Sequence, residues 1–326
     1  MQPLVSIILP AYNSSKTLRR AILSVQNQIF NDWELIIVND GSTDNTQEIS
    51  ELYAKQDIRI NVINQKNKGR SLARNAGLKI VKGKYITFLD SDDIYLPNTL
   101  QDLVNNNLKY NSDLIIGGIC YNKRKKHIFK NEYLEGKNAI KYLFLLIKNK
   151  ITFNSVCNKL FKKDIIQRNN LSFSSNMEMG EDMVFVMKYC NEIQSLSTID
   201  TIIYNYYPNI QSITKKSFKS SYIDRNHTFH YLLLNLYKKW NLSLDEVYGS
   251  FFNYKMFGCT FAASTSFSLL KKMVKETFID SNIINFANKV NHTKYDNLFA
   301  KLIRYKQVII WTFIAYIFGL LKRIKN

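Results

Sequence analysis

The chain is poor in residues that break or staple a fold, with 4 prolines, 11 glycines, 4 cysteines and 4 histidines among 326 residues. Cys120, Cys157, Cys190 and Cys259 stand far apart without a C-x-x-C pair. That spacing argues against a disulfide scaffold or zinc ribbon and indicates buried or free thiols in a reducing compartment. His127, His227, His230 and His292 show no metal-ligand spacing; His227 and His230, at i and i+3, read as a surface or core pair on one helix face. Acid is scarce as well: 26 Asp+Glu stand against 45 Lys+Arg, for a net charge of +19. No apolar run reaches the ~20 residues of a membrane span. The opening Met1-Gln2-Pro3 lacks basic residues and its apolar stretch is broken at Pro10 and Asn13, so it does not read as a signal peptide and a cytoplasmic location is expected.

Apolar residues make up 46% of the chain and aromatics 13%, enough for a well-filled core in one large domain or two ordinary ones. The positive charge is unevenly placed. Met1 to Asp113 holds 13 Lys+Arg against 12 Asp+Glu, whereas Leu114 to Asn326 holds 32 against 14. A basic half can serve nucleic acid, an anionic membrane or an acidic substrate, and charge alone does not choose.

Strands are expected at Val5 to Leu9, Leu35 to Val38, Ile58 to Asn64 and Tyr85 to Leu89, alternating with helices. The first helix, capped by Ser14 or Ser15, points Leu18, Ala21, Ile22, Val25 and Ile29 inward. Further helices are expected from Asp44 or Asn45 to about Gln56, from Gly69 to Lys79, and from Pro97 to Tyr110 with Leu100, Leu103, Val104 and Leu108 inward. Such alternation implies an α/β fold, a mostly parallel sheet with helices on both faces. From Gly136 the pattern turns mainly helical, with short strands at Leu196 to Ile199 and Ile202 to Tyr206 and a helical extension from about Ser217. Val308 to Leu321 carries no charge and is flanked by Lys301, Arg304, Lys306, Lys322, Arg323 and Lys325. This suits an interfacial helix over anionic lipid, or a docked terminal helix.

Asp90-Ser91-Asp92-Asp93 follows directly on the fourth strand and sets three carboxylates at its carboxyl end. Ligands of open α/β sheets bind there, and Mg²⁺ or Mn²⁺ is commonly held by one or two carboxylates plus substrate phosphates. These residues alone leave two readings, a metal–diphosphate site or a solvated acidic turn.

Four segments in order resemble the family 2 inverting glycosyltransferases of GT-A fold: Ser6 to Asn13, Val38 to Asp44, Asn67-Lys68-Gly69 leading to Ala73 to Gly77, and Phe88 to Asp93. Asn158 to Phe161, Gly180 to Phe185 and Tyr204 to Thr214 resemble the acceptor half of bacterial polysaccharide-building members, so the resemblance covers about the first 215 residues. It implies a GT-A domain over 1–215, with a nucleotide-sugar half at 1–113 and an acceptor half at 114–215. A helical region at 216–326 follows, with the interface helix at 298–326.

The resemblance also implies the site. Asp92 and Asp90 hold Mn²⁺ or Mg²⁺, Asp90 alternatively touching the ribose, with Ser91 beside them and Asp93 as a supporting residue. Asp40 accepts a hydrogen bond from a uracil ring, Pro10 and Tyr12 border the base pocket, Asn67 and Gly69 shape a loop, and Arg74 reaches a phosphate or an aspartate. Asp182 is the base and Glu181 positions the acceptor. Read without the resemblance, Asp40 stabilises a turn, Tyr12 is a strand-end core aromatic, Arg74 is a solvated helical arginine, and Glu181-Asp182 is an acidic pair favoured by a helix dipole. One departure stands out: many relatives carry an arginine where this chain has Tyr207, and Lys215 or Lys216 offers only a point charge in its place.

The expected activity is single-displacement transfer of a sugar from a nucleotide-diphosphate donor, a UDP-sugar, to a hydroxyl of a lipid-linked or cell-surface glycan at the cytoplasmic face of the plasma membrane. Polyprenyl phosphate and teichoic-acid- or protein-linked acceptors are the alternatives within the fold. A basic nucleic-acid-binding protein is the alternative outside it, but no binding motif appears and the charge avoids the N-terminal half.

Overall fold

The computed structural model describes residues 2–121, 125–148, 155–175, 177, 180–207 and 221–242. Two compact units divide the chain, Met1–Leu232 and Leu233–Asn326. The first unit thus runs past residue 215, and the interface helix at 298–326, Lys215, Lys216, Cys259 and His292 lie outside the described residues.

The chain begins with three strand–helix pairs: β1 (Val5–Ala11), α1 (Leu18–Gln26), β2 (Trp33–Asp40), α2 (Thr46–Gln56), β3 (Ile60–Gln65) and α3 (Arg70–Ile80). β4 (Tyr85–Phe88), β5 (Ile94–Tyr95) and α4 (Thr99–Tyr110) follow. β1, β2 and β4 are buried along nearly their whole length, as continuous aliphatic runs in a sheet covered on both faces should be. β3–β2–β1–β4 pair in parallel.

Beyond α4 the pairing changes character. β6 (Leu114–Tyr121), β7 (Lys125–His127), β8 (Glu132–Glu135), α5 (Gly136–Lys148), β9 (Lys159–Lys162), α6 (Lys163–Arg168), α7 (Glu181–Cys190), β10 (Ser195–Tyr206) and α8 (Ser221–Lys239) complete the described elements. The sheet order is β3-β2-β1-β4-β9-β6-β10-β5, with β7 on β6 and β8 on β10. β9 is antiparallel to both β4 and β6, and of the remaining pairs only β6–β10 is parallel. The sheet is therefore mixed; the mostly parallel expectation describes its first four strands. The two strands expected at Leu196 to Ile199 and Ile202 to Tyr206 are one strand, with register shifts between Thr198 and Ile202 and between Ile202 and Tyr204.

Two expected core positions are corrected. Ile29 lies past the end of α1 and is 60% exposed, and Leu108 is 78% exposed while its neighbours Asn106 and Asn107 are buried. Asn107 Nδ2 donates to the Ser112 carbonyl at 3.2 Å, so the helix end turns a polar residue inward to tie down the following loop.

An aromatic cluster forms the floor beneath the carboxyl end of β4. Phe88 meets Phe161, Phe173 and Phe185 edge-on at centroid distances of 5.8, 5.4 and 5.9 Å, and Phe173 stacks on Phe185 at 4.1 Å. Such pairs contribute about 0.5–1.5 kcal/mol each beyond area burial. They join β4, β9 and α7.

Candidate active site

β2, β1 and β4 are neighbours, so the loops leaving their carboxyl ends meet. The Asn13 amide donates to Ser42 Oγ at 3.0 Å while its side-chain oxygen accepts from the Thr43 amide at 2.8 Å. The Ser15 amide donates to Asp44 at 3.0 Å. Burial pushes the Asp44 carboxyl up, but hydrogen bonds from Ser15 and Thr46 outweigh it and hold it at about 2. Ser14 and Ser91 hydroxyls lie 2.7 Å apart, tying the first loop to the acidic one.

Asp40 is buried and accepts three hydrogen bonds, from Gln65 Nε2 at 2.6 Å, the Lys68 amide at 2.9 Å and the Gly69 amide at 2.8 Å. A carboxylate offers about four acceptor positions, so a base ring would have to use the last one. The loop it holds is tight: Gly41 has φ 71°, and a Cβ there would stand 2.5 Å from the Asn67 amide nitrogen. Asn67 and Gly69 are exposed on that loop. Pro10 pairs in register with Val38. Tyr12 is 50% exposed just past β1 and is not a core aromatic.

The centre of the site is one guanidinium. Arg74, 2% exposed on the inner face of α3, donates from Nη2 to Asp90 at 2.8 Å and from Nη1 to Asp182 at 2.8 Å and Glu181 at 3.2 Å. Its carbon lies 5.3 Å from the Phe173 ring centroid. Arg70, one turn earlier, also pairs with both oxygens of Glu181. Glu181 is 1% exposed. Glu181 is thus a buried counter-ion for two arginines. Arg74 reaches an aspartate, one of the two contacts expected of it, and is not a solvated helical arginine.

Asp182 is the more open member of the pair. Burial, with the charges of Glu181 and Asp90, raises its carboxyl to about 7 against the pull of Arg74 and Arg70. A carboxylate with such a pKa is suited to exchange protons near neutrality.

Asp93 is buried. It accepts from the Tyr204 hydroxyl at 2.6 Å and the Tyr207 amide at 2.7 Å, and burial beside Asp90 pushes its carboxyl up to about 8. It locks the acidic loop to the end of β10. Arg20 of α1 donates to the Asp92 carbonyl and stacks over the Tyr207 ring at 4.1 Å, so the position where many relatives carry an arginine is an aromatic platform for a different one. Sequence reasoning missed Arg20, Arg70, Phe173 and Tyr204. The i and i+4 spacing of Arg70 and Arg74 on one face of α3 was the available signal.

Among the described residues no three His, Cys, Asp or Glu side chains are grouped to hold an ion. The acidic loop offers two partly exposed carboxylates, Asp92 and Asp90, the latter with one oxygen on Arg74. An oxygen-only pair of this kind fits a hard divalent cation that takes its other ligands from phosphate and water.

Residues 6–169 match the family model described as Glycosyl transferase family 2. The chain belongs to that family. It is 32% identical over 224 residues to the uncharacterized glycosyltransferase EpsJ of Bacillus subtilis (strain 168), covering 67% of this chain and 65% of that protein. It is 34% identical over 188 residues to the poly(ribitol-phosphate) beta-N-acetylglucosaminyltransferase TarP of Staphylococcus aureus (strain N315), covering 57% of each. The matched parts thus span less than two thirds of these curated relatives. The crystal structure of S. aureus TarS 1-349 in complex with UDP-GlcNAc superposes with a TM-score of 0.75 at 20% identity, over 99% of this chain and 92% of that one. The fold of this family 2 chain is accordingly GT-A.

Proposed function

We propose that the protein is an inverting glycosyltransferase that moves a sugar from a UDP-sugar to a hydroxyl of a cell-envelope polymer or lipid-linked glycan. One observation carries the reading: Arg74 joins Asp90, on the donor-side acidic loop, to Asp182, the carboxylate with a pKa near neutrality. Family membership and the UDP-GlcNAc-bound TarS of like fold support the donor class.

In this mechanism Asp182 accepts the proton of the acceptor hydroxyl as its oxygen bonds to the anomeric carbon. The sugar–oxygen bond to the diphosphate breaks on the opposite face, which inverts the configuration, and UDP leaves with the electron pair. Pro10, Tyr12 and the loop organised by Asp40, Asn67 and Gly69 enclose the nucleoside, while Ser14 and Ser91 fix the acidic loop. Mn²⁺ or Mg²⁺ held by Asp92 and Asp90 would neutralise charge on the departing diphosphate.

A polyol-phosphate acceptor is the more specific second reading, favoured by the likeness to TarP. Attachment to the cytoplasmic face of the membrane through the basic C-terminal region belongs to the proposal too; among the described residues no helix is long and apolar enough to cross a membrane.

The test is a panel of nucleotide sugars assayed for UDP release and transfer with Mn²⁺, Mg²⁺ or EDTA, with poly(ribitol phosphate) and lipid-linked oligosaccharide as acceptors. Metal-dependent turnover of a UDP-sugar is expected. No turnover of any nucleotide sugar, together with salt-sensitive nucleic-acid binding, would overturn the reading.

A further inference from the structure

Arg74 is buried, and the cluster it centres is assembled from three separate pieces of chain. It sits on α3, Asp90 follows β4, and Glu181 and Asp182 open α7. Asp182 accepts from Arg74 Nη1, whereas Glu181 is held from two sides, by Arg70 and Arg74. Arg74 itself is fixed from below by Phe173, which stacks on Phe185 of α7. A planar fork in a packed slot sets direction as well as charge, which a lysine ammonium does not.

We propose that Arg74 is a positioning residue for proton transfer: its buried guanidinium fixes the Asp182 carboxylate relative to Asp90, and Glu181 is the counter-charge that holds the guanidinium in place. The inference rests on the reading of Asp182 as the base. Arg74 touches neither the nucleotide nor the acceptor; it determines where the base stands when the acceptor hydroxyl arrives. A misplacement of about 1 Å in such a group can cost on the order of 10²-fold in rate.

The test compares Arg74→Lys, Asp182→Asn and the double variant, using the full chain, a UDP-sugar that the wild type turns over, and UDP binding by calorimetry. Arg74→Lys is expected to lower kcat by about 10²-fold while UDP affinity and donor KM stay within about threefold. In the Asp182→Asn background the same change should leave the residual rate unaltered within about twofold, because groups that act as a unit lose their effect together. Loss of UDP binding in Arg74→Lys, or a further full 10²-fold fall in the double variant, would overturn the proposal in favour of a donor contact or a separate role. If wild type turns over no nucleotide sugar, the functional reading fails by itself. Positioning is then decided by crystal structures of wild type and Arg74→Lys: an Asp182 carboxylate that keeps its place without the guanidinium refutes it, and one that moves while the α7 backbone stays upholds it.

Discussion

The two halves of the sheet are built on different rules and do different work. β3, β2, β1 and β4 are parallel, buried and linked by single helices, and they contribute loops at one edge: Tyr12 to Ser15, Asp40 to Asp44, Gln65 to Gly69 and Asp90 to Asp93. The half made of β9, β6, β10 and β5 is mixed in direction. It supplies braces: Glu181 against Arg74 and Arg70, Tyr204 and the Tyr207 amide against Asp93, and Phe161, Phe173 and Phe185 beneath Phe88. On the proposed reading, the parallel half presents ligand groups, and the mixed half sets their positions. Asp182 is the exception, a chemical group delivered by the bracing half.

That division can be broken or sharpened by substitution. The largest effect is expected from Asp92→Ala, which removes a proposed cation ligand from the presenting half. Metal-dependent transfer should fall by roughly 10³-fold or more with the thermal midpoint kept, and an active variant would remove Asp92 from the donor site. Asp182→Asn should retain UDP binding and lose about 10²–10³-fold in kcat. Because the base must be ionised to accept a proton and burial raises its pKa to about 7, the wild-type rate should climb with pH through that region and level off above it. A flat profile from pH 5 to 9 would assign the proton elsewhere. Smaller still is Tyr204→Phe in the bracing half, which leaves one oxygen of buried Asp93 without its donor. Urea unfolding should register a loss of about 1–3 kcal/mol. Leu108→Ser, on an exposed position that hydropathy alone would bury, should change stability by no more than about 0.5 kcal/mol.

How much of this was legible in the sequence follows the same division. The parallel half writes itself as continuous apolar runs separated by helix-period segments, and β1, β2 and β4 fall where those runs are. The errors there are near element ends: Ile58 is exposed and β3 starts at Ile60, Ile29 lies past the end of α1 at Gln26, and Leu108, still within α4, is exposed because Asn106 and Asn107 take the inward face. β6 is hard to read from sequence because Gly117-Gly118 interrupts its apolar run. In the sheet a Cβ at Gly117 would come within 2.4 Å of Ile203, so the glycine marks close packing against β10. β9 was hidden for a different reason. Its first residue, Lys159, is a fully buried lysine whose Nζ donates to Asn158 Oδ1 at 3.0 Å and to the Ser155 carbonyl, and burial lowers its amine to about 7. A charged residue at a core position defeats any hydropathy pattern.

In the candidate site, the motif residues Asp90, Arg74, Glu181 and Asp182 were named in advance and do come together. What the sequence did not convey is who faces whom. Side-chain pairing across more than a hundred residues depends on strand order, and the antiparallel insertion of β9 lies beyond what local pattern can specify.

That insertion also has a consequence for how the molecule is made. β9 fills the sheet between β4 and β6, so the two ends of the sheet stay unjoined until residues 159–162 have left the ribosome, and synthesis delivers domains from the N-terminus. A nascent chain of the first 158 residues carries the loops that follow β1, β2, β3 and β4 but lacks both β9 and α7. On the proposed reading it can gather the pieces of a donor pocket without acquiring the base. Bridging of β4 and β6 by β9, arrival of Asp182 and addition of β10 are then successive events in one stretch of translation, and on the proposed reading a product truncated before α7 would lack its base.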